Sequence, residues 1–163
     1  MKIRFAICED VPGILKLLQQ VGRVHHEGRP DLFRQNAQKY GASQVIQMLE
    51  ASSQPIFVAV ENEKLLGYCF CKVKTIVEDP VFHDRTELYI DDLCVDEGCR
   101  RQGVAKALYA EVLRYAKIRK CHHITLNVWS FNEAAMGFYR SCGMMPQRIF
   151  METLLEEENV REK

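Results

Sequence analysis

The chain has 163 residues and a mass of 18.9 kDa, the size of one domain. Its 22 Lys and Arg residues equal its 22 Asp and Glu residues, and this neutral balance argues against a broad nucleic-acid-binding surface. No apolar run approaches the about 18 residues of a membrane helix. The acidic residues Glu9 and Asp10 come too early for a signal peptide. We therefore expect a cytoplasmic protein without nucleic-acid or membrane partners.

Seven cysteines, an odd number, are scattered through hydrophobic stretches, which favours buried free thiols over a disulfide framework. Cys69 and Cys71 lie two apart, so they share one face of a strand. A zinc site needs ligands that converge, whereas the histidines at 25–26 and 122–123 are adjacent and diverge in a strand. We expect no metal.

The first third of the chain is predicted to be helical. Asp10 is a candidate N-cap, followed by apolar residues at helical spacing, Ile14, Leu17, Leu18 and Val21. The polar and aromatic stretch from His25 to Tyr40 is predicted to hold a loop and a short helix. Ser43 is a candidate N-cap for a second short helix.

From residue 56 onward the pattern predicts strands in succession, the first two as a hairpin, and then an alternation of helix and strand. The predicted strands are Ile56–Val60, Leu65–Val73, Leu88–Val95, Ile124–Val128 and Gln147–Leu155, and the later helices are Arg101–Arg119 and Asn132–Ser141. This order predicts an α/β protein with a mixed sheet and helices packed on it. A single domain over residues 1–155, followed by a polar tail at 156–163, is expected.

The segment from Val95 to Ala105 carries the clearest chemical signal. A strand ends, a turn with Arg100 and Arg101 follows, and a helix begins near Gly103. Free backbone N–H groups at a helix start bind anions, and a glycine without a Cβ lets a diphosphate approach. The P-loop and dinucleotide-binding glycine motifs are both absent.

Two motifs in this sequence resemble those of the GCN5-related N-acetyltransferases. Arg100-x-x-Gly103-x-Ala105 is similar to the pyrophosphate loop of that family, and Asn132-x-x-Ala135-x-x-Phe138-Tyr139-x-x-x-Gly143-Met144 is similar to its second motif, with Met in place of Phe at the end. The resemblance implies a mixed, mostly antiparallel sheet of six to seven strands with about four helices. It also implies that the sheet splays between its fourth and fifth strands.

The resemblance implies that acetyl-CoA is the cosubstrate and an amine the acceptor, with direct transfer in a ternary complex. The positions that it assigns to CoA are Leu93, Cys94, Val95, Arg100, Arg101, Gln102, Gly103, Val104, Ala105 and Asn132. The strand residues would pair with the amides of the pantetheine arm, as an added strand does. A backbone N–H near Leu93 or Cys94 would polarise the thioester carbonyl. Asn132 has a second reading as a helix N-cap.

The candidate catalytic residues are Tyr139, Asp91 and Glu87. The resemblance implies that Tyr139 protonates the departing thiolate, the alternative being an ordinary core aromatic. Asp91 and Glu87 are candidates for the base, or simply attract a cationic acceptor. Strand alternation predicts that Glu87, Tyr89 and Asp91 share one face of the sheet and that Asp92 faces the other, unless a bulge changes the register. The position that most often carries the family's Glu is Tyr89 here.

His25, His26 and Trp129 are predicted to line the acceptor site, because they cluster where the family places its substrate-side loops. Small-molecule amines, peptide N-termini and lysine side chains all remain open as acceptors, and longer acyl groups as donors. A second hypothesis is a CoA-binding sensor or regulatory module without turnover. A homodimer is possible.

Overall fold

One mixed sheet of five strands, in the order β1-β2-β3-β4-β5, organises the protein. The computed structural model describes residues 1–155. The strands are β1 (Lys2–Phe5), β2 (Ile56–Glu61), β3 (Lys64–Ile76), β4 (Arg85–Val95) and β5 (His123–Leu126), and the helices are α1 (Val11–Gly28), α2 (Ala42–Glu50), α3 (Val104–Ile118) and α4 (Glu133–Ser141). Strands β1 to β4 pair antiparallel, and β5 joins β4 in parallel. The mixed α/β architecture expected from the sequence is confirmed.

The strand count is lower than expected. The predicted last strand, Gln147–Leu155, is wrong: this segment makes no strand pairing within residues 1–155. A strand also exists that was not predicted, β1, which pairs with β2 from Lys2↔Val60 to Phe5↔Phe57. A segment forms a strand only where another strand offers it a free edge, and the local sequence does not show whether such an edge exists. The predicted polar tail at 156–163 lies outside the described residues.

Helices cover both faces of the sheet, so the strands are apolar on both sides. On one face Cys69, Cys71 and Leu88 pack with α3 residues such as Leu108 and Val112. On the other face, Tyr68 and Phe70 pack with the α1 residues Ile14, Leu17 and Leu18. The predicted shared face of Cys69 and Cys71 is confirmed, with their Sγ atoms 3.7 Å apart. All seven cysteines are free thiols.

Three helix boundaries differ from the sequence expectation. Helix α1 continues through His25 to Gly28 before the loop begins. The N-cap of α2 is Gly41, not Ser43, and α3 begins at Val104 rather than Arg101. In the last case Arg101 has a left-handed backbone, with φ of 63°, and is not helical.

A β-bulge in β4 changes the direction of Asp92. Phe70 pairs with Asp92 and Cys71 with Ile90, so Asp91 is an extra residue in β4. The expected opposition of Asp91 and Asp92 is wrong, because the bulge brings Asp92 to the same α1 and α2 face as Asp91, where Asp91 contacts Tyr40 and Asp92 contacts Tyr68.

A buried ion pair fixes the entry to α1. Asp10 occupies the predicted N-cap position, but its carboxylate does not cap the helix. Instead Arg4 donates two hydrogen bonds to Asp10, of 2.6 and 2.9 Å, and the backbone N–H of Ile7 donates a third at 2.8 Å. Asp10 is buried, and this contact raises the pKa of Arg4. The pair therefore ties β1 to the start of α1.

Replacing Asp10 with Ala should lower the free energy of unfolding by about 2 kcal/mol, because it leaves Arg4 without its partner and the Ile7 N–H without its acceptor. Urea denaturation measures this change. Glu9→Ala is the matched control, since Glu9 is exposed and should leave the midpoint unchanged. Equal effects of the two substitutions would contradict this role for Asp10.

Candidate active site

Strands β4 and β5 separate along their length. Their parallel ladder joins Glu87 to His123 at one end and Ile90 to Leu126 at the other, and there it stops. Strand β4 continues to Val95 with β3 as its only partner among residues 1–155. The predicted splay between the fourth and fifth strands therefore lies beyond Ile90.

The β3–β4 register determines which peptide groups face this gap. The N–H of Asp96 donates to the carbonyl of Leu66 at 2.8 Å, on the β3 side. Because neighbouring residues of a strand point their peptide groups to opposite sides, Cys94 faces β3, whereas Leu93 and Val95 face the gap. Of the two predicted donors to a carbonyl in this gap, the N–H of Leu93 is the one that points into it.

The loop after β4 leads into α3, whose first backbone N–H groups are free. The Asp96 carboxylate accepts a hydrogen bond from the Gly98 N–H at 2.9 Å, which shapes the turn. Gly103 follows with φ of 83°, a conformation that favours glycine. Among the residues that the structure describes, none accepts a hydrogen bond from the backbone N–H groups of Gly103 to Lys106. These groups carry the positive end of the α3 dipole.

The space in front of this helix start is open. A Cβ built on Gly103 meets no atom within 4 Å. Arg100, Arg101 and Gln102 are exposed beside it, whereas the Val104 side chain is buried in the α3 core. The predicted phosphate-binding residues therefore lie together at one end of the gap. The start of α3 supplies free backbone N–H donors, and Arg100 and Arg101 supply two positive charges.

The Cys94 thiol points away from the gap. Its Sγ lies 3.6 Å from the carbonyl oxygen of Leu17, in the core beneath α1. Burial raises the pKa of Cys94 to about 12. Cys94 is therefore an inert packing residue through its side chain.

Helix α4 brings Tyr139 to the gap. Asn132 caps this helix by accepting a hydrogen bond from the Ala135 N–H at 3.1 Å, as one of its two sequence interpretations predicted. Burial raises the pKa of Tyr139 well above its ordinary value, and the nearby Cys69 and Asp92 raise it further. Since Cys69 pairs with Leu93, the Tyr139 side chain lies at the level where β5 has separated from β4.

Asp91 is held by three donors. Lys39 and Lys72 form ion pairs with its carboxylate at 2.9 and 3.0 Å, and the Tyr40 hydroxyl donates at 2.5 Å. Burial alone would raise its pKa, but the hydrogen bonds from Lys39, Tyr40 and Lys72 prevail and lower it. Glu87 lies four residues earlier, about 13 Å along the strand, and faces Lys74 at 3.7 Å.

Asp92 has a different environment from its neighbour. Its carboxylate accepts one hydrogen bond from the Tyr68 hydroxyl, at 2.8 Å. Burial raises the pKa of Asp92, and the Tyr68 hydrogen bond offsets this only in part. Sequence alternation places Asp92 on the opposite face, and the register between β3 and β4 is what reveals the bulge.

An aromatic wall forms where α1 ends and β5 has ended. His25 stacks on Phe33 at 4.9 Å, and Phe33 contacts Trp129 edge-on at 5.1 Å. Trp129 in turn stacks on Phe131 at 6.0 Å. The His26 ring is tied to the carbonyl oxygen of Phe33 at 2.7 Å. The three predicted acceptor-site residues, His25, His26 and Trp129, therefore lie in one cluster.

Within residues 1–155, no group of three or more His, Cys, Asp or Glu side chains is arranged to hold a metal ion. None of the helices in this part of the chain is long and apolar enough to cross a membrane.

Comparisons with known proteins agree with this geometry. The sequence model of the acetyltransferase (GNAT) family matches residues 20–144. Human N-acetyltransferase 8 is 33% identical over 87 residues, covering 53% of this chain and 37% of that protein. N-alpha-acetyltransferase 30 of Schizosaccharomyces pombe is 35% identical over 89 residues, covering 53% of this chain and 55% of that protein. The chain thus spans about a third to a half of the length of these curated relatives.

A solved structure matches nearly the whole chain. A mutant of the BH1408 protein from Bacillus halodurans superposes with a TM-score of 0.92 at 31% identity, covering 96% of this chain and all of that one. The gap between β4 and β5, the helix start at Gly103 and the family match define an acetyltransferase class. This chain belongs to the acetyltransferase (GNAT) family.

The Phe131 ring of the aromatic wall packs directly against Gly28. A Cβ at this position would come within 2.1 Å of the ring. Gly28→Ala should therefore displace Phe131 and lower the free energy of unfolding by about 1–3 kcal/mol. Trp129 is the only tryptophan, so its fluorescence should also shift. Gly137→Ala is the control, because a Cβ there meets no atom within 4 Å. An unchanged emission spectrum in Gly28→Ala would contradict the packing described for the wall.

Proposed function

We propose that this protein is an N-acetyltransferase that moves an acetyl group directly from acetyl-CoA to an amine. The observation that supports this proposal is that the open edge of β4 leads directly to the start of α3. Peptide groups of Leu93 and Val95 face an open gap, and this gap leads to the free N–H groups of Gly103 to Lys106. An amide-containing arm that ends in a diphosphate needs this combination of donors.

The residues at the site fit acetyl-CoA, which supplies the acetyl thioester when it is bound. The N–H groups at the α3 start would hold the diphosphate, and the exposed Arg100 and Arg101 add positive charge. Leu93 and Val95 would pair with the pantetheine amides. The N–H of Leu93 would stabilise a developing oxyanion, a contribution of about 3–4 kcal/mol for one such donor.

Tyr139 is the proposed general acid. A general acid must carry its proton until the thiolate departs, and a tyrosine hydroxyl is protonated at neutral pH. Its hydroxyl donates no hydrogen bond to another residue of the described range, so its proton is available.

We propose Asp92, in place of Asp91 or Glu87, as the general base. A base needs a free lone pair and a pKa raised toward neutrality. Asp91 fits this role poorly, because two lysines and the Tyr40 hydroxyl contact its carboxylate and its pKa is lowered. Asp92 has one side-chain donor, the Tyr68 hydroxyl, and a raised pKa. Asp91 would instead position Lys39 and Tyr40 on the acceptor side, and Glu87 is too distant.

The acceptor would lie against the aromatic wall. Burial, with the positive charge of Lys39, lowers the pKa of His25, so the ring is neutral at physiological pH. An uncharged aromatic surface suits the apolar part of an amine. The panel to test includes polyamines, amino acids, aminoglycosides and peptides with free N-termini, the last because one relative is an N-alpha-acetyltransferase.

The decisive measurement pairs calorimetric titration of acetyl-CoA with thiol release across this panel. Binding followed by release with one amine class is the expected result. Binding without release in the wild-type protein would favour the regulatory module, and absence of binding would overturn the whole proposal.

Gly103→Ala should weaken CoA binding by about tenfold or more, equivalent to about 1.4 kcal/mol, because the new Cβ stands where the diphosphate would approach the backbone. Gly143→Ala is the matched control. Gly143 has nearly the same φ, 85°, and the same free space around its Cβ, but lies after α4. Both substitutions should cost about 1 kcal/mol of stability. Equal CoA affinity in the two variants would refute the assigned site.

Tyr139→Phe should lower kcat about a hundredfold and leave acetyl-CoA affinity unchanged, since only the proton donor is lost. Tyr109→Phe is the control, because Tyr109 is a buried tyrosine whose ring lies 6.5 Å from that of Tyr139. Steady-state kinetics on both variants test this. Full turnover in Tyr139→Phe would exclude the general-acid role.

Asp92→Asn should abolish the rise of kcat/KM with pH that deprotonation of the base produces. Because burial raises the pKa of Asp92, this rise should lie above the ordinary range of an aspartate. Asp91→Asn should retain this rise of kcat/KM with pH.

The stability of Asp92→Asn separates catalysis from folding. A carboxyl with a raised folded-state pKa favours folding at low pH and loses this contribution as pH increases through that pKa. Asp92→Asn should therefore be no less stable than the wild type at neutral pH, which separates catalysis from folding.

A further inference from the structure

Two lysines share one buried carboxylate on the α1 and α2 face of the sheet. Lys39 contacts the Asp91 carboxylate at 2.9 Å and the Asp91 backbone carbonyl oxygen at 2.8 Å. Lys72 contacts the same carboxylate at 3.0 Å and the Tyr40 hydroxyl at 3.1 Å. The Asp91 side chain is 8% exposed, whereas the two lysine side chains are 45% and 35% exposed. The cluster therefore buries its negative charge and presents its positive charge to solvent.

The charges of this cluster do not balance, because two ammonium groups face one carboxylate. A lysine ammonium has three N–H donors, and within residues 1–155 the contacts of Lys39 and of Lys72 use two on each. One donor of each lysine is left for a further anion. The two ammonium groups are neighbours, since they contact the two oxygens of the same Asp91 carboxylate. A second carboxylate, which also has two acceptor oxygens, matches this pair of donors.

The next lysine on this face of β3 differs in its pairing. Lys74 lies two residues beyond Lys72, so the two side chains share a face of the strand. Lys74 forms an ion pair with Glu87 at 3.7 Å, and its ammonium lies over the Tyr89 ring at 3.6 Å. One cation there meets one anion, so the charge of Lys74 is matched, unlike that of the pair Lys39 and Lys72.

The lysine pair borders the aromatic wall. Lys72 is the cross-strand partner of Tyr89 in the β3–β4 register. The Tyr89 hydroxyl accepts a hydrogen bond from the Asn127 side chain at 3.2 Å. Asn127 follows β5 directly and lies two residues before Trp129 of the wall. A short chain of contacts therefore leads from the lysines to the wall.

The lysine pair is also near the open end of the gap. Asp91, which holds both lysines, is two residues or about 7 Å along β4 from Leu93. Burial lowers the pKa of His25 and raises that of Asp92, and the positive charge of Lys39 acts on both groups. The free lysine donors, the wall and the proposed base therefore surround one small space.

These contacts extend the proposed function, on which this inference rests, to a class of acceptor. We propose that the acceptor is an α-amino acid with an aromatic or apolar side chain, and that Lys39 and Lys72 bind its carboxylate. Its side chain would pack on the aromatic wall, and its amine would lie beside Asp92. The opposite charges of a zwitterion would thus each meet an opposite charge. A polyamine or an aminoglycoside has no anion for the lysines, which would repel it.

Acceptors that differ only in the carboxylate test this proposal. Thiol release from acetyl-CoA is measured with phenylalanine, tryptophan and leucine, with the amide of each, and with spermidine. For at least one of the three amino acids, kcat/KM should be about tenfold or more above that of its amide, because a hydrogen-bonded charge is lost in the amide. Spermidine should be a poorer acceptor than that amino acid.

Substitution of Lys39 tests the assigned residue. Lys39→Gln should raise the KM for the amino acid about tenfold, and should leave the KM for its amide and the affinity for acetyl-CoA unchanged. Lys39→Arg, which keeps the charge, should restore most of the loss. Lys74→Gln is the matched control, because Lys74 lies on the same face of the sheet but has its own partner in Glu87. Circular dichroism and Tm establish that each variant is folded.

The outcomes separate this inference from the proposed function. If acetyl-CoA binds and thiol is released, but amides, spermidine or peptides are better acceptors than all three amino acids, the acceptor class is wrong and the acetyltransferase stands. Equal KM values for the amino acid in Lys39→Gln and Lys74→Gln would likewise overturn the role of the lysines. Absence of acetyl-CoA binding would overturn both proposals.

Discussion

The separation of β5 from β4 is the constraint on which the site depends. Strand β4 stays paired with β3 on both sides of the bulge at Asp91, while its other edge is uncovered beyond Ile90. The uncovered peptide groups are those of Leu93 and Val95. Because the strand leads directly to Gly103, the same stretch of chain positions both the open amide edge and the free N–H groups at the start of α3. In the proposed function, these eleven residues would bind two distant parts of one long ligand.

The bulge at Asp91 gives two adjacent carboxylates different chemistry. Asp91 is compensated by Lys39, Tyr40 and Lys72 and stays ionised. Asp92 has one side-chain donor, the neutral Tyr68 hydroxyl, and burial raises its pKa. Like charges this close disfavour simultaneous ionisation, so compensation of Asp91 leaves Asp92 as the carboxyl with the raised pKa.

The short length of β5 produces the gap in front of Leu93. This strand ends at Leu126, whereas its neighbour β4 continues to Val95. The aromatic wall closes the region beyond the end of β5, and Arg29, which follows Gly28 at this wall, binds Glu152 near the end of the described chain. The wall is therefore tied to two distant parts of the sequence.

The sequence alone determined the features that are local. Turn chemistry around Gly103, the cap at Asn132 and the apolar stripe of α3 depend on residues within one helical turn, and the structure has each of them. Tertiary structure decided the rest. The bulge that reorients Asp92 depends on the register between β3 and β4, and β1 forms because β2 offers it a free edge. Gln147–Leu155 has the pattern of a strand but makes no strand pairing within residues 1–155. Strand pairing is a property of two distant segments, and neither segment encodes it by itself.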